Sequence, residues 1–165
     1  MGAVLVNQRA ARLADGIFAN ATVDKFLRMV HWVEDELDEI GPDPDEFRIV
    51  HYSVILPGDS EEEAWERYMP HQWHMMWKYS DMEASATRTG PPPAAPPLTD
   101  EGREAIRARS TIAGTAEQIV AQLHDIREKS SLDVEFVARS YFHTLTYEEQ
   151  YELMERLATE VAPQI

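Results

Sequence analysis

The 165-residue sequence contains no cysteine, few basic residues and no long hydrophobic run. Without cysteine the chain can form neither a disulfide nor a thiolate metal site, and it has no thiol nucleophile. No apolar stretch approaches the roughly 20 residues that a membrane span needs. The first residues also lack the basic and apolar pattern of a secretory signal. We therefore expect a cytoplasmic protein.

Positive charge is scarce. The 15 Lys and Arg residues face 30 Asp and Glu residues, which gives a formal net charge of -15. A field of this sign repels phosphate backbones and anionic lipid headgroups. We therefore predict that neither a nucleic acid nor a membrane surface is a partner of this chain.

Known nucleotide and nucleophile motifs are missing too. The sequence has neither a glycine-rich phosphate loop after a strand nor a nucleophile elbow. What it does have is a hydrophobic content of 44%, enough for a core, and chains of about 150 residues bury about 70% of their unfolded surface. These features predict one domain covering residues 1–165.

Apolar residues follow helical spacing most clearly from Val23 to Ile40, with Thr22 placed to cap the start and Gly41 with Pro42 to end the helix. A shorter helix is expected over residues 4–14. Three more helix starts are marked by a Ser or Thr followed three residues later by Glu or Gln, the capping-box pattern. These pairs are Ser60 with Glu63, Thr115 with Gln118, and Thr146 with Glu149.

Three segments rich in β-branched and aromatic residues predict strands, near Ile17–Ala19, over Phe47–Leu56 and over Val134–Ala138. Strands that alternate with amphipathic helices favour an α/β fold with parallel strands and right-handed crossovers. Three strands do not close a barrel. A helix, a partner chain or a missing N-terminal half would have to cover the two open edges of such a sheet.

Residues 61–110 are unusual, because the part from Trp65 to Met82 holds more Trp, Tyr and Met than one buried helix face requires. The run Gly90–Pro97 is too rich in proline to be helical and predicts an extended connector. We interpret residues 61–110 as a helical insertion with a proline-rich connector at residues 90–97.

Four blocks carry a family likeness: Arg9–Phe18, Val54–Leu56 followed by Ser60–Ala64, Ile112–Val120, and Leu157–Pro163. Each block alone is a weak signal, but their order and spacing resemble the C-terminal half of a bacterial luciferase-like, flavin-dependent monooxygenase. The resemblance implies a partial (β/α)8 TIM barrel with three parallel strands, surrounding helices and a helical insertion. The three strands would correspond to the sixth, seventh and eighth of the family's barrel.

The resemblance also implies a function. It points to a flavin-dependent oxidoreductase that uses FMN or a deazaflavin and acts on a small-molecule substrate. The first five strands have no counterpart here, and much of the flavin contact in the family comes from that part. The chain is therefore expected to work as a homo-oligomer or with an N-terminal-half partner. The alternative is a non-catalytic oligomerising module that kept the fold and lost the flavin site.

Barrel enzymes place their sites beyond the C-terminal ends of the strands, which selects Phe18–Asn20, Leu56–Asp59 and Arg139–His143. Asn20 could donate to a flavin carbonyl or simply serve the turn before the next helix. Arg139 could bind an anion as a bidentate fork or form a surface ion pair. No catalytic residue can be assigned from the sequence.

Gly114 and Thr115 begin a helix, where amide donors and the helix dipole attract phosphate, and Arg107 and Arg109 lie just upstream. The capping role of Thr115 explains the same pattern without a ligand. The predicted cofactor-binding residues are therefore Asn20, Gly114, Thr115 and Arg139.

Because the family's insertion lies over the substrate pocket, the resemblance implies that Trp73, His74 and Trp77 contact the substrate. Their alternative role is an oligomer interface. His71 and His74, with Glu63 or Glu66, have the spacing of a metal-binding helix, which would make the chain a helical metal protein. Pro70 should interrupt that helix, so we predict no metal site.

Overall fold

Helices and strands alternate along the computed structural model, which describes residues 2–40, 47–91 and 93–165. The elements are α1 (Gly2–Leu13), β1 (Gly16–Ala19), α2 (Val23–Ile40), β2 (Arg48–Pro57), α3 (Glu61–Ser85), α4 (Asp100–Arg107), β3 (Thr111–Gly114), α5 (Ala116–Lys129), β4 (Val134–Arg139) and α6 (Tyr147–Arg156). A π-helical turn, Leu157–Val161, and a 3-10 turn, Ala162–Gln164, follow α6. In the part of the chain described, no helix has both the length and the apolar character needed to cross a membrane.

The strand β2 is the centre of the sheet, because all three other strands pair with it and all run parallel to it. β1 pairs with its first four residues, from Gly16 opposite Arg48 to Ala19 opposite His51. β4 pairs with Ile49–Val54 and β3 with Val54–Pro57. The α/β fold with parallel strands and surrounding helices is confirmed.

The sheet has four strands and not three, so the predicted strand number was wrong. The missed strand is β3, a segment of four residues directly before the Thr115 cap. Such a short segment shows no alternation of apolar and polar residues, and its conformation is fixed by pairing with the end of β2. The three predicted strands are present.

Side chains of β2 alternate between the two faces of the sheet. Ile49, His51 and Ile55 are buried, and Ile49 and Ile55 belong to a core shared with α1, α2 and α5. A second core lies between α3, α4, β3 and α6, around Leu56 and Tyr68. The helices α1, α2 and α5 therefore cover one face of the sheet, and they do not cover the opposite face.

This opposite face, here called the open face, consists of Phe18, Arg48, Val50, Tyr52, Glu135 and Val137. Phe18 is 64% exposed and Val137 is 38% exposed, although both are apolar. Arg48 donates from Nε and Nη2 to the Glu135 carboxylate, each at 2.7 Å. Within the described residues β1 and β4 pair with β2 alone, so the outer edges of both strands are free.

The helix starts follow the predicted caps. Thr115 with Gln118 and Thr146 with Glu149 form complete capping boxes. At the third start, Ser60 Oγ accepts from the Glu63 amide, but the Glu63 carboxylate accepts from Asp59 and not from Ser60. α2 spans Val23–Ile40 as predicted, while its expected stop signal at Gly41 and Pro42 lies outside the described residues.

α3 continues through Pro70, so the expected interruption before His71 was wrong. Pro70 and Glu66 both lie on the exposed side of the helix. The Glu66 carbonyl that loses its helical donor can therefore be hydrated, which lowers the cost of proline at this position.

The proline-rich connector forms neither helix nor strand over residues 90–91 and 93–97, while Pro92 lies outside the described residues. Trp73 Nε1 donates to the Pro96 carbonyl at 2.8 Å and holds the connector against α3. The assignment of residues 61–110 as an insertion stays a prediction.

Candidate functional site

A cavity of about 320 Å³ lies where β1 and β4 end and α3 passes over β2. Its lining combines polar side chains with apolar ones. The polar members are Asn20, Thr22, Lys25, Gln72, Arg109, Ser110, Thr111 and Arg139, and the apolar or aromatic members include Val54, Met75, Met76 and Tyr79. A small concave site of this kind, with few polar groups on an apolar wall, is typical of ligand pockets.

Arg139 is the last residue of β4 and lies opposite Val54 of β2. Its Nη2 donates to the Tyr79 hydroxyl at 3.1 Å and also contacts the Met75 sulfur. The guanidinium stacks on the Tyr79 ring at 5.5 Å from the centroid. It forms no ion pair with any carboxylate of the described chain, so α3 holds Arg139 as an unneutralised cation on the cavity wall.

Asn20 directly follows β1 and also lines the cavity. The structure thus brings together two of the four residues predicted to bind a cofactor, from strands on opposite sides of β2. This follows from parallel pairing, which puts the C-terminal ends of β1 and β4 at the same edge.

Gly114 and Thr115 do not line this cavity, and their local contacts are structural. Thr115 Oγ1 accepts from the Gln118 amide at 3.3 Å, and Gln118 Oε1 accepts from the Thr115 amide at 2.9 Å. A Cβ atom on Gly114 would lie 2.7 Å from that Oε1. Glycine is therefore needed for the capping box itself, and a cofactor role for the pair stays a prediction.

Trp73, His74 and Trp77 also lie outside the cavity lining. Trp73 packs on the proline-rich connector, while His74 lies 6.0 Å from Trp77 and 6.4 Å from His143 between ring centroids. α3 turns a different face to the cavity, namely Gln72, Met75, Met76 and Tyr79, which share one side of a helix by their spacing.

The segment Leu56–Asp59 is kept away from the cavity by β3 and α6. Gly58 donates to the Gly114 carbonyl at 2.9 Å. Arg156 donates to the Gly58 carbonyl at 3.2 Å and pairs with Asp59 at 3.3 Å. Because β2 continues past the ends of β1 and β4, its own C-terminal end leads to a different part of the surface.

A chain of polar side chains crosses the sheet next to the cavity. Ser110 Oγ lies 2.8 Å from Ser53 Oγ, and Ser53 Oγ lies 3.3 Å from His51 Nδ1. His51 Nε2 lies 3.1 Å from the Ala21 carbonyl, so a neutral ring protonated at Nε2 donates to Ala21 and accepts from Ser53. Burial lowers the pKa of His51 below its ordinary value, consistent with a neutral imidazole.

Gln72 is a second buried polar group at the cavity, with 3% of its surface exposed. Its Oε1 accepts from Thr111 Oγ1 at 3.4 Å. Its Nε2 has no hydrogen-bond partner among the described residues. A buried amide donor without a partner costs about 1–3 kcal/mol, so this donor would gain from an acceptor bound in the cavity.

In the described ranges, no three His, Asp or Glu side chains lie close enough together to hold a metal ion. His71 Nδ1 instead lies 2.7 Å from Thr144 Oγ1, and burial lowers the pKa of His71.

Sequence reasoning missed Lys25, Gln72 and Ser110 as cavity residues. It noted Arg109 only as a neighbour of the Thr115 helix start, whereas the structure places Arg109 on the cavity. The sequence alone does not identify Lys25 and Gln72 as cavity residues, because neighbouring positions on α2 and α3 have different surroundings. They can be assigned only when it is known which side of each helix faces the cavity.

Residues 6–133 match the luciferase-like monooxygenase family. The fold aligns with EDTA monooxygenase from Chelativorans sp. BNC1 (TM-score 0.60, 16% identity), covering 95% of this chain and 40% of that one. It aligns with the coenzyme F420 dependent tetrahydromethanopterin reductase from Methanopyrus kandleri (TM-score 0.58, 17% identity), covering 97% and 48%. It also aligns with a riboflavin lyase solved with modified FMN and riboflavin (TM-score 0.59, 15% identity), covering 95% and 39%.

At these identities the structural likeness shows a shared fold, and the chain spans less than half the length of these three relatives. No curated protein matches the sequence. The family match, however, covers well over half of the chain, from within α1 to the residue before β4. The chain therefore belongs to the luciferase-like monooxygenase family.

Proposed function

We propose that this chain is the C-terminal half of a flavin-dependent oxidoreductase, with the cavity below α3 as part of its active site. The observation that carries the proposal is the position of the cavity. It lies at the C-terminal ends of β1 and β4, beside the open face, which is where barrel enzymes assemble their sites. The fold, by contrast, says little about chemistry on its own.

The cofactor we propose is FMN or a deazaflavin, by resemblance to the relatives that carry FMN or depend on coenzyme F420. Asn20 offers an amide donor to a flavin carbonyl oxygen, and Met76 offers an apolar contact. These groups fit one edge of a flavin and form one wall of a site. The flavin would supply the redox chemistry with dioxygen or an organic substrate, and the protein would bind and orient it.

The open face supports a partner that completes the barrel. Phe18, Val50, Tyr52 and Val137 form a partly apolar surface, and β1 and β4 each leave one edge unpaired within the described residues. A partner with the five preceding strands of a luciferase-like barrel would pair with both edges and cover this surface. Free edges and an exposed apolar sheet face are otherwise unfavourable in water.

The same open face favours a second candidate, a non-catalytic module that associates with another copy of itself. Exposure of Phe18 at 64% would drive such association without any flavin. The two candidates differ in one respect, since only the first needs an N-terminal half with a flavin site.

Flavin binding with and without an N-terminal half tests the proposal. We expect this chain, mixed with the N-terminal half of a luciferase-like barrel, to form a one-to-one complex that quenches the fluorescence of added FMN or deazaflavin. Phe18→Asp should abolish the complex, whereas Tyr147→Asp should leave it intact, because Tyr147 is exposed on α6 and outside the open face.

A one-to-one complex that binds neither FMN nor a deazaflavin would refute the flavin function. A colourless dimer of this chain that is broken by Phe18→Asp would establish the second candidate.

A further inference from the structure

The cavity below α3 collects positive charge in a strongly acidic chain. Lys25, Arg109 and Arg139 line it, and no Asp or Glu is found among its described lining residues. The whole chain carries 30 acidic residues against 15 basic ones, so cations without carboxylates are unexpected here. Elsewhere in the described chain Arg48 pairs with Glu135 and Arg67 with Glu152, whereas none of the three cavity cations pairs with a described carboxylate.

Arg139 is already held in position for a ligand. The Tyr79 ring and hydroxyl fix its guanidinium, and these contacts with Tyr79 and Met75 engage only Nη2 as a donor. Its Nε and Nη1 are left to donate. They point in different directions, so each can give one charge-assisted hydrogen bond to a carboxylate oxygen.

Gln72 provides an independent observation at the same cavity. Only 3% of this residue is exposed, and its Nε2 donor has no partner among the described residues. Gln72 is one of the residues of α3 that line the cavity, together with Met75 and Met76. An oxygen acceptor in the cavity would satisfy a group that the protein leaves unpaired.

The cavity lining also has an apolar part, to which Val54, Met75 and Met76 contribute. Methionine side chains adapt to irregular ligands. A volume of about 320 Å³ is at the small end of ligand pockets, which suits a short-chain molecule and not a large one.

We propose that this cavity binds the carboxylate of a small, partly apolar organic acid. The carboxylate lies against Arg139 and Gln72, with Lys25 and Arg109 adding positive potential at the mouth, and the apolar chain lies along Met75 and Met76. That this acid is the substrate of the flavin chemistry rests on the function proposed above. The binding itself rests only on the cavity, and it needs neither flavin nor partner.

Calorimetric titration of the isolated chain with hexanoate tests the site, with hexanol and hexylammonium as neutral and cationic analogues of equal chain length. We expect hexanoate to bind and to lose affinity as salt is raised, because screening weakens attraction between charges. Neither analogue should bind. Equal binding of hexanol and hexanoate, or no binding of hexanoate, would overturn the proposal.

Single substitutions distinguish binding in the cavity from the long-range effect of the charge of the whole chain on the anion. Lys25→Gln and Arg109→Gln should each weaken hexanoate binding, and Arg139→Gln should weaken it by about tenfold or more, the loss of a charge-assisted hydrogen bond. Arg28→Gln is the matched control, since Arg28 is an exposed cation of α2 that does not line the cavity. An equal loss in Arg28→Gln would show that net charge, and not the cavity, attracts the anion.

Gln72→Met covers the case in which Arg139→Gln fails to fold. Removal of the unpaired amide should leave the melting temperature unchanged or higher, while hexanoate affinity falls. Unchanged affinity in this folded variant would contradict the proposal.

Competition by FMN or inorganic phosphate at the same residues, with hexanoate displaced, would assign the cavity to the flavin phosphate and overturn the organic-acid site. Failure of flavin binding by the completed barrel is read in a separate experiment and leaves the hexanoate titration intact.

Discussion

His51 is a histidine that the fold keeps neutral. It lies 1% exposed between Phe26, at 4.3 Å between ring centroids, and the polar chain through Ser53. Burial lowers its pKa from the ordinary value of 6.5. The unfolded chain therefore binds a proton more readily than the folded one, so stability is complete above about pH 6.5 and falls as the pH drops towards the folded pKa.

We expect His51→Gln to remove part of this acid sensitivity. The free energy of unfolding of the parent should fall by up to about 1.4 kcal/mol per pH unit per such histidine below pH 6.5. When this free energy is measured by urea unfolding at several pH values, its decrease with falling pH should be smaller in the variant. Burial also lowers the pKa of His71, so the double variant with His71→Gln should be shallower still. A slope unchanged by His51→Gln would mean that the ring is charged in the folded state.

At this scale the sequence locates residues at strand ends more directly than residues on a helix face. Asn20 and Arg139 were predicted for the site because each follows or ends a strand, and both line the cavity. Substrate contact by Trp73, His74 and Trp77 was inferred from the resemblance and stays a prediction, while the helix turns Gln72 and Met76 to this cavity. A rotation of 100° per residue means that an error of one position points a side chain elsewhere.

Among the elements, α3 contains the clearest departure from local rules. Proline inside a helix removes one backbone hydrogen bond and costs about 3 kcal/mol relative to alanine, yet α3 runs unbroken from Glu61 to Ser85. The contacts of Trp65, Tyr68 and Met69 in the second core stabilise the helix against this cost.

We expect Pro70→Ala to raise the free energy of unfolding by about 1–3 kcal/mol, because it restores the donor to the Glu66 carbonyl. Chemical denaturation measures the change. Pro91→Ala is the control, since Pro91 is exposed and lies outside any helix or strand, and it should be neutral or slightly destabilising. A destabilised Pro70→Ala variant would indicate that a bend at Pro70 is needed to seat α3 on the sheet.

Element prediction succeeded where a pattern is long or a cap is present. The helix Val23–Ile40 agrees with its apolar spacing, and two complete capping boxes were found where they were expected. β3 was missed because Thr111–Gly114 is defined by its pairing with β2, a contact that the segment's own sequence does not contain.

At the scale of the whole molecule, the net charge of -15 should destabilise the compact state through self-repulsion. We expect the melting temperature of the isolated chain to rise between 0.01 M and about 0.2 M NaCl, since screening lengths shorten from about 30 Å to below 10 Å over this range. Calorimetry measures the melting temperature at each salt concentration. The same measurement in sucrose, which carries no charge, separates screening from general solute effects. A falling melting temperature would mean that surface ion pairs such as Arg48 with Glu135 outweigh the repulsion.

The fold class could be predicted from the sequence because the alternation of strands and helices extends over the whole chain. The cavity could be predicted only in part. Its walls come from β2, β3, β4, α2 and α3, from the loop after β1 and from the segment before β3. Which faces of these elements meet depends on packing that no local pattern records.

The pairing of β2 with three other strands has a consequence for folding during biosynthesis. Residues 16–19 are available to β2 as soon as it is made, but its other partners are residues 111–114 and 134–139. A sheet of two strands is marginal in water. A nascent chain that has emerged only to residue 110 therefore exposes β2 without a stable sheet, so chaperone demand should be greatest over this interval and end once β4 has left the ribosome.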